Sequence, residues 1–303
     1  MALYHKHRPK DFKEIKGNDA VVNALETMFA KNKVPHALLF VGNTGCGKTT
    51  LARIVSESLG AVGNDIREMD IADFRGIDTV REIRKQSQYK PLEGACRVWI
   101  MDEVHKMTND AQNALLKILE DTPAHVYFIL CTTDPQKLLP AIKGRCSTFQ
   151  VNPLNDTEMF TLLRTVVKAE EETLVKAVYE QIIHDSLGHP RNALQVLEQV
   201  LQVEPEKRLD MAKRAAEQQS QSIELCRALM TNVGWLKIAA ILSGLKEQDP
   251  EGVRRHVLGY VQSILLKQAS DKAALIIEEF KEPFYNSGFT GLVFACYNVT
   301  QSS

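Results

Sequence analysis

The sequence predicts an α/β fold: a five-stranded parallel sheet in the first half of the chain, followed by helices alone. Three observations carry this. Apolar strand-like runs alternate with helical patterns through residues 37–151, the signature of a sheet covered on both faces. Strand signals then stop at "NPLND", residues 152–156. Beyond that point apolar residues recur at helical spacing, as in "VRRHVLGYVQSILL", where positions 253, 257, 258, 261, 264 and 265 form one stripe.

The five strand candidates are "ALLFV" (37–41), "IREMDI" (66–71), "RVWIM" (97–101), "VYFILCT" (126–132) and "CSTFQV" (146–151). Between them lie amphipathic stretches such as "DAQNALLKILE", apolar at 111, 114, 115, 118 and 119. Asn155 followed by Glu158 reads as a helix start, because each side chain can satisfy the other's backbone N–H. "VEPEKR" (203–208) reads as a linker. The expected organisation is an α/β domain over 1–151, a small helical domain over 152–205 and a second helical domain over 206–303.

A chain of 303 residues has room for two or three cores. Residues 1–150 hold 21 Lys and Arg against 18 Asp and Glu, and the remainder 16 against 20. That balance excludes a basic tail or domain, so any nucleic acid must be held by a local patch. Six cysteines without a C-x-x-C pair indicate neither a zinc site nor a disulfide framework, and fit a reducing cytoplasm. The opening "MALYHKHRPK" lacks an apolar signal region. No apolar run approaches the ~18 residues of a membrane span, so a soluble protein is expected.

"GNTGCGKT" (42–49) satisfies G-x-x-x-x-G-K-[ST] between a strand and a helix, the context that gives the motif meaning. Gly42, Gly45 and Gly47 let the backbone approach phosphates, and the N–H groups of the loop, through Asn43, Thr44, Cys46 and Thr50, cradle them. Lys48 would reach the β- and γ-phosphates of ATP, and Thr49 would hold Mg2+. "VWIMDEVH" (98–105) supplies the second half: Asp102 to assist Mg2+ and Glu103 to polarise the attacking water. Thr132 and Thr133 end the fourth run, either capping the next turn or sensing the γ-phosphate. Arg191 opens a helix behind Pro190, where a cation opposes the helix dipole; a phosphate contact explains that placement better than solvation does.

Together these stretches resemble the clamp-loader branch of the AAA+ ATPases: bacterial gamma and tau subunits, replication factor C small subunits and bacteriophage clamp-loader ATPases. The resemblance covers nearly the whole chain, through "HRPKDFKEIKGND", "HALLFVGNTGCGKTTLAR", "VWIMDEVHKMTNDAQNALLKILEDTP", "CTTDPQKLLPAIKGRC" and "GHPRNALQVLEQ". It implies that Arg8, Pro9 and Ile15 lie against adenine, that Thr133 senses the γ-phosphate and that Arg191 is the lid residue responding to ATP. It places Arg145 at the arginine finger, serving a neighbouring subunit in trans, and makes 206–303 the collar of an open, pentameric ring. It further implies that Arg75, Arg81, Lys85 and Lys106 face DNA phosphates, with a solvated charged face as the alternative, and that residues 73–94 face the clamp. Three departures stand out: Gly144 replaces the family's Ser before the finger, His7 replaces an aromatic, and only "GAVGN" stands where bacterial subunits carry a zinc-binding insertion. The last favours a phage or replication-factor-like homologue.

The function expected from the resemblance is that of the ATPase subunit of a sliding-clamp loader, working with other loader subunits, the clamp and primer–template DNA in a bacterial or infected-host cytoplasm. A non-hydrolysing structural loader subunit is the first alternative. Another AAA+ DNA machine, such as a helicase loader or branch-migration motor, is the second.

Overall fold

A computed structural model describes residues 2–219, 221–231, 233–266 and 268–301. The five expected strands form one sheet: β1 (Ala37–Val41), β2 (Ile66–Asp70), β3 (Arg97–Asp102), β4 (Val126–Thr132) and β5 (Ser147–Gln150). Their order is β2-β3-β4-β1-β5, and every pairing is parallel.

Parallel strands need covering on both faces, and the period-two alternation supplies two apolar faces. Leu38, Phe40, Val98, Ile100, Ile129 and Cys131 point to one side, where α2 (Asp19–Ala30) and α3 (Lys48–Ser58) pack. Leu39, Val41, Trp99, Met101, Phe128 and Leu130 point to the other, against α4 (Ile77–Ser87), α5 (Asn109–Glu120) and α6 (Pro140–Arg145). Before them, α1 (Leu3–Lys6) opens the described chain.

Helices follow the sheet: α7 (Asp156–Ala169), α8 (Lys176–Ser186), α9 (Pro190–Leu201), α10 (Arg208–Gln219), α11 (Gln221–Met230), α12 (Trp235–Gly244), α13 (Pro250–Leu265), α14 (Asp271–Phe280) and α15 (Gly288–Gln301). The start of α7 is the reciprocal cap that Asn155 and Glu158 announce: each side chain accepts the other's backbone N–H at 2.9 Å. Internal contacts divide the chain into two units, Met1–Val166 with Gly188–Arg191, and Val167–Leu187 with Asn192–Ser303. The first holds the sheet. The second has its own core, in which Leu225, Ile238, Val257, Val261, Ile276, Phe280 and Leu292 from α11 to α15 are buried together.

Residues 203–208 differ from a plain linker. Pro205–Lys207 is a 3-10 turn, and Arg208 is buried, donating to the carbonyls of Val203 and Thr173 and to Glu172. All six cysteines are free thiols, five of them buried. Among the described residues no helix is long and apolar enough to cross a membrane.

Candidate functional site

Three neighbouring strands, β3, β4 and β1, deliver their C-terminal ends to one edge of the sheet. In an open α/β sheet ligands bind outside such ends. Val41 pairs with Thr132, and the Gly42 N–H continues the ladder to the Thr132 carbonyl at 3.1 Å. The loop after β1 therefore begins beside the end of β4.

Two glycines are dictated by the path of that loop. A Cβ on Gly42 would stand 2.1 Å from the Val151 carbonyl oxygen. Gly47 has φ of 108° at the start of α3, a conformation costly for any L side chain. Cys46 is a packing residue: its thiol donates to the Asn43 carbonyl at 2.8 Å, and burial pushes its pKa up. Lys48 is buried, and its ammonium donates to the carbonyls of Gly42 and Asn43, both at 2.9 Å. Thr50 follows it in the first turn of α3; Asn43 and Thr44 are exposed and Gly45 is half-buried.

Thr49 Oγ1 donates to Asp102 Oδ2 at 2.6 Å, although 53 residues separate the two. A hydroxyl and a carboxylate meeting here suit Mg2+, which takes one or two protein oxygens and completes its shell with phosphate and water. Among the described residues no cluster of three or more His, Cys, Asp or Glu side chains offers an all-protein cage. The donor set thus fits Mg2+ held jointly with a nucleotide.

Glu103 adopts φ of 51°, a left-handed conformation unusual for a glutamate. Such strain persists where the surroundings hold it, and it gathers at functional sites. The Thr133 hydroxyl donates to Glu103 Oε2 at 3.1 Å. Thr132 plays the other role the pair could play: its Oγ1 accepts the Asp134 N–H at 3.1 Å and caps the turn. His105, quoted in the sequence but given no role there, stands with Nδ1 3.1 Å from Thr132 Oγ1 and 3.3 Å from Glu103 Oε2. Burial lowers its pKa, against the opposing pull of Glu103, and so favours the neutral ring.

Arg191 lies against Gly45, its N–H 3.5 Å from the Gly45 carbonyl and its Cβ near that glycine. Arg8 is half-buried, with Nη1 buried and unbonded; burial first, then the charge of Arg53, lowers its pKa. His189 has an equally orphaned Nδ1, and burial followed by the nearby Lys48 charge lowers its pKa. The orphaned Arg8 Nη1 is a buried donor, and such a group suits an acceptor atom on a ligand. Pro9 and Ile15 are half-buried, Ile15 against the core under α2 and α3.

The remaining candidates lie elsewhere in the sheet unit. Arg145 ends α6 and is ion-paired with Glu120, a partner the sequence reading missed because it lies 25 positions earlier. Arg75, Arg81, Lys85 and Lys106 are exposed. Arg75 donates to the Ala72 carbonyl and Arg81 pairs with Asp78, while the Thr108 N–H bonds the Arg75 carbonyl and ties the two expected DNA segments together. The start of α4 has no side-chain cap, whereas Thr108 caps α5.

The chain is similar to known proteins in sequence and in fold. The family model described as DNA polymerase III, delta subunit matches residues 64–155, and that described as Magnesium chelatase, subunit ChlI matches 11–97. The Mycobacterium tuberculosis DNA polymerase III subunit gamma/tau is 37% identical over 224 residues, 66% of this chain and 39% of that protein. The Haemophilus influenzae tau/gamma subunit is 32% identical over 222 residues, 66% of this chain and 32% of its own length. The chain therefore spans well under half the length of these relatives. The Thermotoga maritima RuvB Holliday junction branch migration motor shares the fold, with a TM-score of 0.60 at 19% identity, covering 78% of this chain and 85% of that one. In sequence the chain is thus similar to the bacterial DNA polymerase III gamma and tau subunits, and in fold to the RuvB motor.

Proposed function

We propose that the chain is the ATPase subunit of a DNA polymerase sliding-clamp loader. The observation that carries the reading is the meeting of Lys48 and Thr49, Asp102 and Glu103, and Thr133 at three adjacent strand ends, in a chain akin to gamma and tau subunits. ATP would seat its phosphates on the N–H groups of residues 42–50, with Lys48 exchanging two loop carbonyls for phosphate oxygens. Thr49 and Asp102 would hold Mg2+, which when bound neutralises charge on the phosphate oxygens. Glu103 would orient and polarise the attacking water, Thr133 sense the γ-phosphate, and Arg191 approach from the start of α9. Arg8, Pro9 and Ile15 would line the adenine side.

Arg145 would act on the ATP of a neighbouring subunit, where an arginine finger is worth roughly 10³–10⁵ in rate. Placing it in trans makes hydrolysis report on ring geometry. In this mechanism ATP closes the interfaces of an open, pentameric ring held by the collar (206–303), with 152–205 as the lid. The closed ring grips an opened clamp through 73–94 and a primer–template junction through Arg75, Arg81, Lys85 and Lys106. DNA then aligns Arg145, and hydrolysis releases the clamp on the duplex. The cytoplasm, of a bacterium or of an infected host, is the compartment this implies.

Two measurements test it with clamp, companion subunits and primed circular DNA present. The first is ATP-dependent retention of the clamp on DNA, which a chain of another function would not support. The second is hydrolysis by Lys48→Ala, Arg145→Ala and their equal mixture. Recovery above the mean of the two singles supports a finger in trans. A mixture that stays at the mean, beside an active wild type, removes it.

A further inference from the structure

The main chain at Arg145 is fixed on both sides. Ile142, three residues earlier, is fully buried, and Ser147, two residues later, pairs with Leu38 in the sheet. The side chain is not: it is long, has several rotatable bonds and is 44% exposed. Its hydrogen-bond partner among the described residues is Glu120, whose Oε1 accepts from Nη2. Glu120 is the last residue of α5, which packs on α6. The end of α5 adds the negative pole of a helix dipole to that carboxylate. One carboxylate oxygen on Nη2 leaves the other N–H groups of the guanidinium fork available for a phosphate.

We propose that Glu120 is a positioning residue for Arg145, holding its guanidinium in the orientation that meets a neighbour's ATP; this rests on the trans-finger reading above. An exposed ion pair is weak, a bias of about twofold to fivefold in orientation. It therefore aims the side chain without locking it away from a phosphate. Catalytic groups need such support because small displacements cost rate steeply.

The test extends the mixing assay in the assembled loader. Glu120→Lys turns attraction into repulsion and is expected to lower DNA-stimulated kcat roughly tenfold to a hundredfold. Glu120→Gln is expected to lower it about threefold. Neither should change the KM for ATP, because the loop of the same chain is untouched. The decisive arm is Glu120→Lys mixed with Lys48→Ala, since the second chain brings an intact finger. Recovery above the mean of the singles supports positioning in trans. If Arg145→Ala recovers with Lys48→Ala but Glu120→Lys does not, Glu120 acts within its own chain and this proposal falls alone. If neither recovers, the trans finger itself is wrong. Hydrolysis at or above the wild-type rate in Glu120→Lys would also overturn it. Should the Lys variant fail to fold, the Gln variant is read by the same mixtures.

Discussion

At the scale of single residues, Gly42 shows how a motif letter becomes a geometric demand. The chain leaves β1 against the first carbonyl after β5, and a Cβ there would meet Val151 O at 2.1 Å. The obstacle is backbone, and Val151 is itself bonded to the Val41 carbonyl at 2.7 Å, so it cannot swing aside. Gly42→Ala is expected to cost about 1–3 kcal/mol, the range for overpacking, and to weaken ATP binding more than a surface mutation would. Thermal melting with and without ATP measures both. The need for glycine here was legible, because the spacing of the loop encodes it. The contact of His105 with Thr132 was not. It depends on β3 and β4 lying side by side, an order that no local pattern states.

Among elements, the segment after α4 illustrates what periodicity cannot see. Asp65 ends a 3-10 turn, is fully buried, and accepts the N–H groups of Leu92, Glu93 and Gly94 at 2.7–2.9 Å. These partners lie 27 to 29 residues away, so nothing beside Asp65 marked it. The clip shapes the end of the stretch proposed to face the clamp, where Tyr89 and Leu92 are exposed. Burial pushes the Asp65 carboxyl up, but the three N–H groups and Arg97 outweigh it and hold the pKa at about 2. A folded pKa below the unfolded value of about 3.9 means that the stabilisation is present above that value and lost as pH falls toward 2. Asp65→Asn is expected to lower stability at neutral pH by about 1–3 kcal/mol, since its amide turns a donor toward donors. The variant should also lose less stability than the wild type between pH 5 and pH 2. Denaturant unfolding across that range checks both the size and the sign.

At the scale of the whole molecule, the strand and helix inventory was legible, because strong alternation and helical periodicity are local. Grouping the helices was harder. Asp185 on α8, buried in the second unit, accepts from Arg227 Nη2 on α11 at 2.5 Å and from Gln181 at 2.7 Å, with His184 Nδ1 at 3.2 Å. Burial pushes neighbouring Tyr260 on α13 up to about 12, and its ring meets His184 edge-on. These bonds join residues on either side of the 203–208 segment, and α10 packs on α8 directly. Removing one partner of a buried pair strands the other charge, so Arg227→Ala is expected to cost about 3–5 kcal/mol. Replacing both, Asp185→Leu with Arg227→Met, should recover most of that loss, because two apolar side chains leave no uncompensated charge. Hydrogen exchange discriminates the structural meaning. If α8 and α11–α13 form one cooperative block, Arg227→Ala accelerates exchange in all of them together. If 203–208 is a free linker between independent domains, exchange in α8 stays at the wild-type rate while α11 loosens.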